Sequence, residues 1–209
     1  MTIHFHKNDL RPGLDFGSSV AVDTETQGLS LVRDKVCLVQ LSDGNGDAHI
    51  VQLNRQTYDC PNLKALLADP QVTKIFHFAR FDVAVIKRDL DVDCTPVFCT
   101  KIASGLVRTY TDRHGLKDIC RELLSVDLSK QQQSSDWAGD ELSEAQLAYA
   151  ASDVLYLHQL KTVLVGRLLR EGRMELAEAC FAFLPTRALL DLQGWEEIDI
   201  FSHSLRRNH

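Results

Sequence analysis

No stretch of this sequence stays apolar for the about 20 residues that a membrane-crossing helix needs. The opening segment MTIHFHKNDLRPGLDF lacks the apolar core of a secretory signal, so a cytoplasmic protein with no membrane partner is expected. C-x-x-C pairs are absent too. Cys37, Cys60, Cys94, Cys99, Cys120 and Cys180 fall mostly inside apolar segments such as KVCLVQL and AEACFAF. That placement predicts free buried thiols rather than disulfides or a zinc centre. His4 and His6 have no third ligand near them in sequence, so a metal site there is not expected. Basic runs are missing until LRRNH at the C-terminus, and the net charge is −6. Proteins that track long nucleic acids display a basic surface, because neutralised phosphates supply most of their affinity. What remains is a short substrate, a basic surface assembled from scattered residues, or no nucleic acid at all.

Repeats, low-complexity tracts and Gly/Pro/Ser-rich linkers are also lacking. A single domain over residues 1–209 is expected, with its core at residues 18–170 and packing or oligomer contacts from 173 to 209. SSVAVDT, KVCLVQLSD and AHIVQL read as three strands with short connections, hence an antiparallel meander. CPNLKALLAD reads as a short helix, QVTKIFHF as a strand entering the helix ARFDVAVIKRDL, and TPVFCT as a strand entering KIASGLVR. HGLKDICRELL is another helix. A long helix is expected from Ser143, capped by the S-x-x-Q pair Ser143 and Gln146 and stopped at Gly172. A last helical stretch is expected to break at Pro185. The sum is an α/β domain, a mixed sheet flanked by helices, with a helical C-terminal half.

AVDTETQGLSL, residues 21–31, carries the first chemical signal. Asp23 and Glu25 lie two apart on a strand and so project from one face. Paired acids at the end of an apolar strand repel and resist burial unless something positive sits between them. Asp82 falls in the first turn of a helix after a buried strand, where simple dipole stabilisation also accounts for it. Tyr149 and Asp153 share one face of a largely apolar helix, although an exposed Asp at the edge of the stripe fits the same pattern. Four acids on three elements offer oxygen ligands suited to Mg²⁺ or Mn²⁺. Two such ions about 3.5–4 Å apart can clamp the attacking and leaving oxygens of a phosphoryl transfer.

The D-x-E strand, the Asp opening a central helix and the Y-x-x-x-D helix together resemble the DEDDy 3′–5′ exonucleases of the ribonuclease D type, over residues 18–165. HGLKDI and SSDWAGDELSEAQLAYAASDVLYL are similar to that branch in particular, while IHFHKNDL and GWEEIDIFSHS resemble the compact nanoRNase C family, which lacks the additional C-terminal helical domains of ribonuclease D. The resemblance implies a ribonuclease H-like fold, two Mg²⁺ or Mn²⁺ ions per active site, and hydrolysis of short RNA down to dinucleotides by a homo-octamer. It implies that Asp23 bridges both ions, that Glu25 and Asp153 complete the site of the nucleophilic water, and that Asp82 acts through coordinated water. Tyr149 would orient or deprotonate the nucleophile, with activity rising toward alkaline pH. Leu29 would wedge between the terminal bases, though core packing is the plainer alternative.

Thr26, His77 and Phe81 are candidate substrate contacts beside the acids; for His77 and Phe81 a core role serves equally. Arg108, Arg113, His114 and Lys117, around VRTYTDRHGLK, are candidate phosphate contacts or solvated surface. Lys130 and QQQSSDW are candidates for the mouth of the site. The tail from Trp195 to Leu205 packs on its own domain or on another subunit. Rival functions are an exonuclease of longer RNA or DNA, a phosphomonoesterase with an aspartyl nucleophile in DTET, and a non-catalytic nucleic-acid-binding scaffold.

Overall fold

The computed structural model describes residues 2–129 and 135–203. Strands β2 (Ser19–Thr26), β3 (Val36–Ser42) and β4 (Ala48–Gln52) form the expected antiparallel meander. β5 (Thr73–Phe76) and β6 (Val97–Cys99) extend it in parallel beyond β2. On the opposite edge β1 (Ile3–Lys7) pairs in parallel with β4, giving the order β1-β4-β3-β2-β5-β6. β1 has no counterpart among the expected strands. Its IHFHK alternates apolar residues with imidazoles and stays largely exposed, so the strand owes its order to pairing with β4 rather than to burial. β3, buried at every position, is the middle of the sheet. The tight turn into β4 needs glycine at residue 44, where φ is +87° and a Cβ would come within 2.8 Å of the His158 ring.

Helices α1 (Pro61–Ala68), α2 (Ala79–Val85), α3 (Thr100–Val107) and α4 (Leu116–Leu124) follow the sequence pattern. α2 runs on into a π-helical turn, Ile86–Leu90. The expected long helix from Ser143 is instead two, α5 (Glu144–Leu155) and α6 (Leu157–Arg170), broken at Tyr156. α5 must lie on β2, β3 and β4, whereas α6 must turn to pack on α3. Small buried residues, Ala150 and Ala151, let α5 approach the sheet; α6 buries a leucine stripe at 157, 160, 164 and 168. Both expected ends hold: the Ser143–Gln146 capping box is formed, and Gly172 closes α6 at φ +66°.

α7 (Met174–Leu190) runs straight through Pro185, contrary to the expected break. The proline forfeits one backbone hydrogen bond, and the buried stripe of Phe181, Leu184 and Ala188 against α2 and β6 holds the helix through it. Of the six cysteines, all unpaired, five are buried and Cys180 on α7 is half-buried. Among the described residues no helix is long and apolar enough to cross a membrane.

Candidate active site

β2 outruns its parallel neighbour. Pairing with β5 stops at Ala21 opposite Ile75, so residues 22–26 project past it, and the chain leaving β5 turns into α2 beside them. The carboxyl ends of parallel strands are where open α/β sheets gather ligands, and the acids gather there. Asp23 and Glu25 rise from one face of β2, while α5, lying across that face, brings Tyr149 and Asp153. One ligand oxygen each from Asp23, Glu25 and Asp153 lie within 4.8 Å of one another. Asp82 stands beside them rather than among them; its Oδ1 accepts a 2.7 Å hydrogen bond from the Thr24 hydroxyl. The Tyr149 phenol lies beside Asp153, near enough for each to shift the other's titration.

No Lys or Arg among the described residues forms an ion pair with any of the four acids. Burial therefore acts on them uncompensated. Asp23 is held well above the usual carboxylate range by burial and then by repulsion from Asp82, Asp153 and Glu25. Burial pushes Glu25 up to about 9, with Asp153 and Asp82 adding to it. Asp82 and Asp153 are raised by burial to about 7, each partly relieved by a neighbouring hydroxyl, Thr24 or Tyr149. Burial and the same carboxylates also raise Tyr149, so its phenol keeps its proton at neutral pH. An all-oxygen donor set, short of positive charge and this compact, fits Mg²⁺ or a similar hard divalent cation.

These residues floor a cleft of about 520 Å³. Thr26, Leu29, His77, Phe81 and Lys117 line it as well. Leu29 is 82% exposed, which removes core packing as its role. Its loop leaves β2 at a register shift between Glu25 and Thr26, and the Thr26 hydroxyl caps it by donating to the Gly28 carbonyl. His77 is neutral, lowered to about 3 by burial and then by Lys101 and His114. Thr100 Oγ1 donates to the Phe76 carbonyl and so accepts from His77 Nδ1 at 2.9 Å, leaving Nε2 as a bare acceptor.

Three of the four expected phosphate contacts lie elsewhere. Arg108 is 1% exposed and its guanidinium is consumed by Glu122, by Ser104 Oγ at 3.0 Å and by the Arg113 carbonyl at 2.6 Å. His114 is tied through Nδ1 to Ser104 Oγ at 2.9 Å and stands outside the cleft lining. Arg113 is exposed and borders a separate shallow hollow with Arg108. Lys130 and residues 131–134 fall outside the described residues, as does the end of the tail at Leu205.

Other cleft residues escape the sequence reading. Thr24, between the two acids, is legible only once Asp82 is seen to need a donor. Phe78 takes a left-handed backbone (φ 65°) that bulky residues rarely adopt, and Lys101 Nζ sits 3.8 Å from its ring centroid. The tail reaches the cleft at Glu196, held by Arg80, which donates to the Asp191 carboxylate at 2.6 Å and to the Glu196 carbonyl at 2.6 Å.

Residues 7–168 match the family model described as 3′-5′ exonuclease, and the chain belongs to that family of nucleases. The sheet order and flanking helices are its ribonuclease H-like fold. Ribonuclease D of Acidiphilium cryptum is 35% identical over 156 residues, covering 75% of this chain and 39% of that protein. The chain thus spans about two fifths of the length of the curated relatives it matches first. Among solved structures, Brucella melitensis NrnC with bound Mg²⁺ is 60% identical with a TM-score of 0.93, over 98% of this chain and 100% of that one. Brucella melitensis NrnC bound to pGG is 61% identical with a TM-score of 0.94 and the same coverage.

Proposed function

We propose that this chain is a metal-dependent 3′–5′ exoribonuclease that releases nucleoside 5′-monophosphates from very short RNA, dinucleotides above all. The observation that carries the reading is the convergence of Asp23, Glu25 and Asp153 oxygens beside the Tyr149 hydroxyl at the floor of one cleft. Two Mg²⁺ or Mn²⁺ ions held by Asp23, Glu25, Asp82 and Asp153 would supply positive charge at the scissile phosphate and a more acidic water. The neutral Tyr149 phenol would orient the attacking water by hydrogen bonding to it. Asp82, fixed by Thr24, steadies the cluster from beside it.

The cleft volume suits a ligand of a few nucleotides at most. Leu29, exposed on the rim, is placed to wedge between adjacent bases, and His77 Nε2 to accept from a ribose hydroxyl. Lys117 offers the cleft a cation for a phosphate, and Thr26 and Phe81 complete the wall. The net charge of −6 opposes the binding of long polyanions, which favours a substrate with few phosphates. A relative that is 61% identical along its whole length binds pGG, which supports the same choice. Exposed Leu176, Leu189, Trp195 and Phe201 on the C-terminal helices and tail offer apolar surface for a subunit contact, and sedimentation at working concentration is the check on the homo-octamer that the family resemblance implies. Six unpaired thiols suit the reducing cytoplasm.

The deciding experiment is hydrolysis of 5′-labelled RNAs of graded length with Mg²⁺ or Mn²⁺. Dimers should be consumed fastest by a wide margin. Equal rates on chains of ten times that length would instead favour a general exonuclease.

A further inference from the structure

We infer that Gln40 is a positioning residue for the cation site, its buried amide orienting the Asp23 carboxylate toward the ions; this rests on the metal-dependent reading above. Gln40 lies on β3, where every position is buried and the other side chains, Ser42 apart, are apolar or thiol. It is 0% exposed, and neither its Nε2 nor its Oε1 has a hydrogen-bond partner. Among the described residues no other buried side chain lacks partners at two polar atoms; Trp137 and His158 lack one each. An amide buried without partners costs stability. A native fold that keeps one has a use for it in strain, in catalysis or beside an ion.

Strand register supplies the use. Gln40 is the direct cross-strand partner of Asp23 in the antiparallel pair of β2 and β3. Side chains at opposed positions leave the same face, with Cβ atoms about 4.5–5.5 Å apart. Amide and carboxylate therefore share the face that α5 covers. The other neighbours offer the amide little. Its partner on β4 is Ile50, Leu38 precedes it on the same face, and the buried residues of α5 are Ala150, Ala151 and Val154. Ser42, two residues on, already donates to the Asp47 carbonyl at 2.7 Å and accepts from the Gly44 amide at 3.2 Å. Among these neighbours Asp23 is the acceptor still to be served. As a cation ligand it is an anion with several lone pairs, and an oxygen turned toward β3 accepts from Nε2 once the long Gln40 side chain rotates across the gap. Donors of this kind orient metal-binding carboxylates, and their loss weakens the metal. Thr24 serves Asp82 in this way from the opposite face of β2. The Gln40 amide is thus a burden without cations and an asset with them.

The test exchanges the amide for carbon and sulfur of similar length in the full chain, Gln40→Met, with Gln40→Leu as the second variant should the first not fold. Calorimetric titration with Mg²⁺ and thermal melts in EDTA read the outcome without any RNA. In EDTA the Tm should rise by roughly 2–4 °C, because an unpartnered polar group has gone. Mg²⁺ affinity should nevertheless fall by about 10–100-fold. On a labelled dimer in saturating Mg²⁺, kcat should fall with little change in KM. A Tm that falls in EDTA, or a Mg²⁺ affinity equal to the parent's, overturns the role and leaves Gln40 a packing residue. Should the parent chain itself bind no Mg²⁺, the metal-dependent reading falls and takes this role with it; normal binding in the parent and in the variant removes the role alone.

Discussion

Exchanging single side chains in the cleft separates holding a cation from placing a water. Asp23→Asn and Asp153→Asn should each cut turnover by roughly 10³-fold while leaving the melting curve cooperative. Tyr149→Phe should lower kcat far more than it raises KM, because the phenol acts on the water and not on the bound RNA. Steady-state kinetics on a labelled dimer reads all three. Thr24→Val removes the donor to Asp82 and should cost roughly 10–100-fold in activity and in Mg²⁺ affinity, with Thr24→Ser restoring most of it. The convergence of Asp23, Glu25, Tyr149 and Asp153 is legible in the sequence because strand and helix periodicities put each pair on one face. The fate of Arg108 is not. Its partner Glu122 lies 14 residues away on the far side of a connector, and nothing local distinguishes a buried, ion-paired arginine from one that meets a phosphate.

Among the elements, α5 matters most because it carries two of the site residues across the sheet. Its capping box, with Gln146 N–H donating to Ser143 Oγ at 3.2 Å, fixes where that helix begins. Ser143→Ala should lower stability by about 1 kcal/mol, a fall of roughly 2–4 °C in Tm for a domain of this size, measurable by calorimetry. Residue patterns announce this start, the meander and the Gly172 stop. The break at Tyr156 escapes them because apolar periodicity continues on both sides; only the need of α6 to reach α3 bends the chain. Pro185 misleads in the opposite sense: a strong local breaker yields to the packing of α7 against α2 and β6. β1 is hidden because an edge strand can form from pairing alone.

For the whole molecule, four raised carboxylates tie stability to pH. Unfolded, these groups lose their protons near pH 4. In the fold, Asp82 and Asp153 keep them to about 7 and Glu25 to about 9. Between those limits the native state binds more protons than the unfolded one, so stability falls as pH rises. A divalent cation expels the protons and removes the penalty. Thermal melts in EDTA should therefore drop steadily from pH 5 to 9, and the gain in Tm from Mg²⁺ should widen over the same range. A gain that stays flat with pH would mean that the cation binds elsewhere.

The distribution of thiols has a practical outcome. Burial pushes Cys60 up to about 11 and Cys94 and Cys120 up to about 12, and raises Cys37 and Cys99 as well. Cys180 alone is partly open, in an apolar groove it shares with the cleft residues Phe78 and Lys101. A maleimide should couple there once per chain, countable by mass spectrometry. A fluorophore so attached would sense nucleotide entering and leaving next door, with no cysteine engineered away.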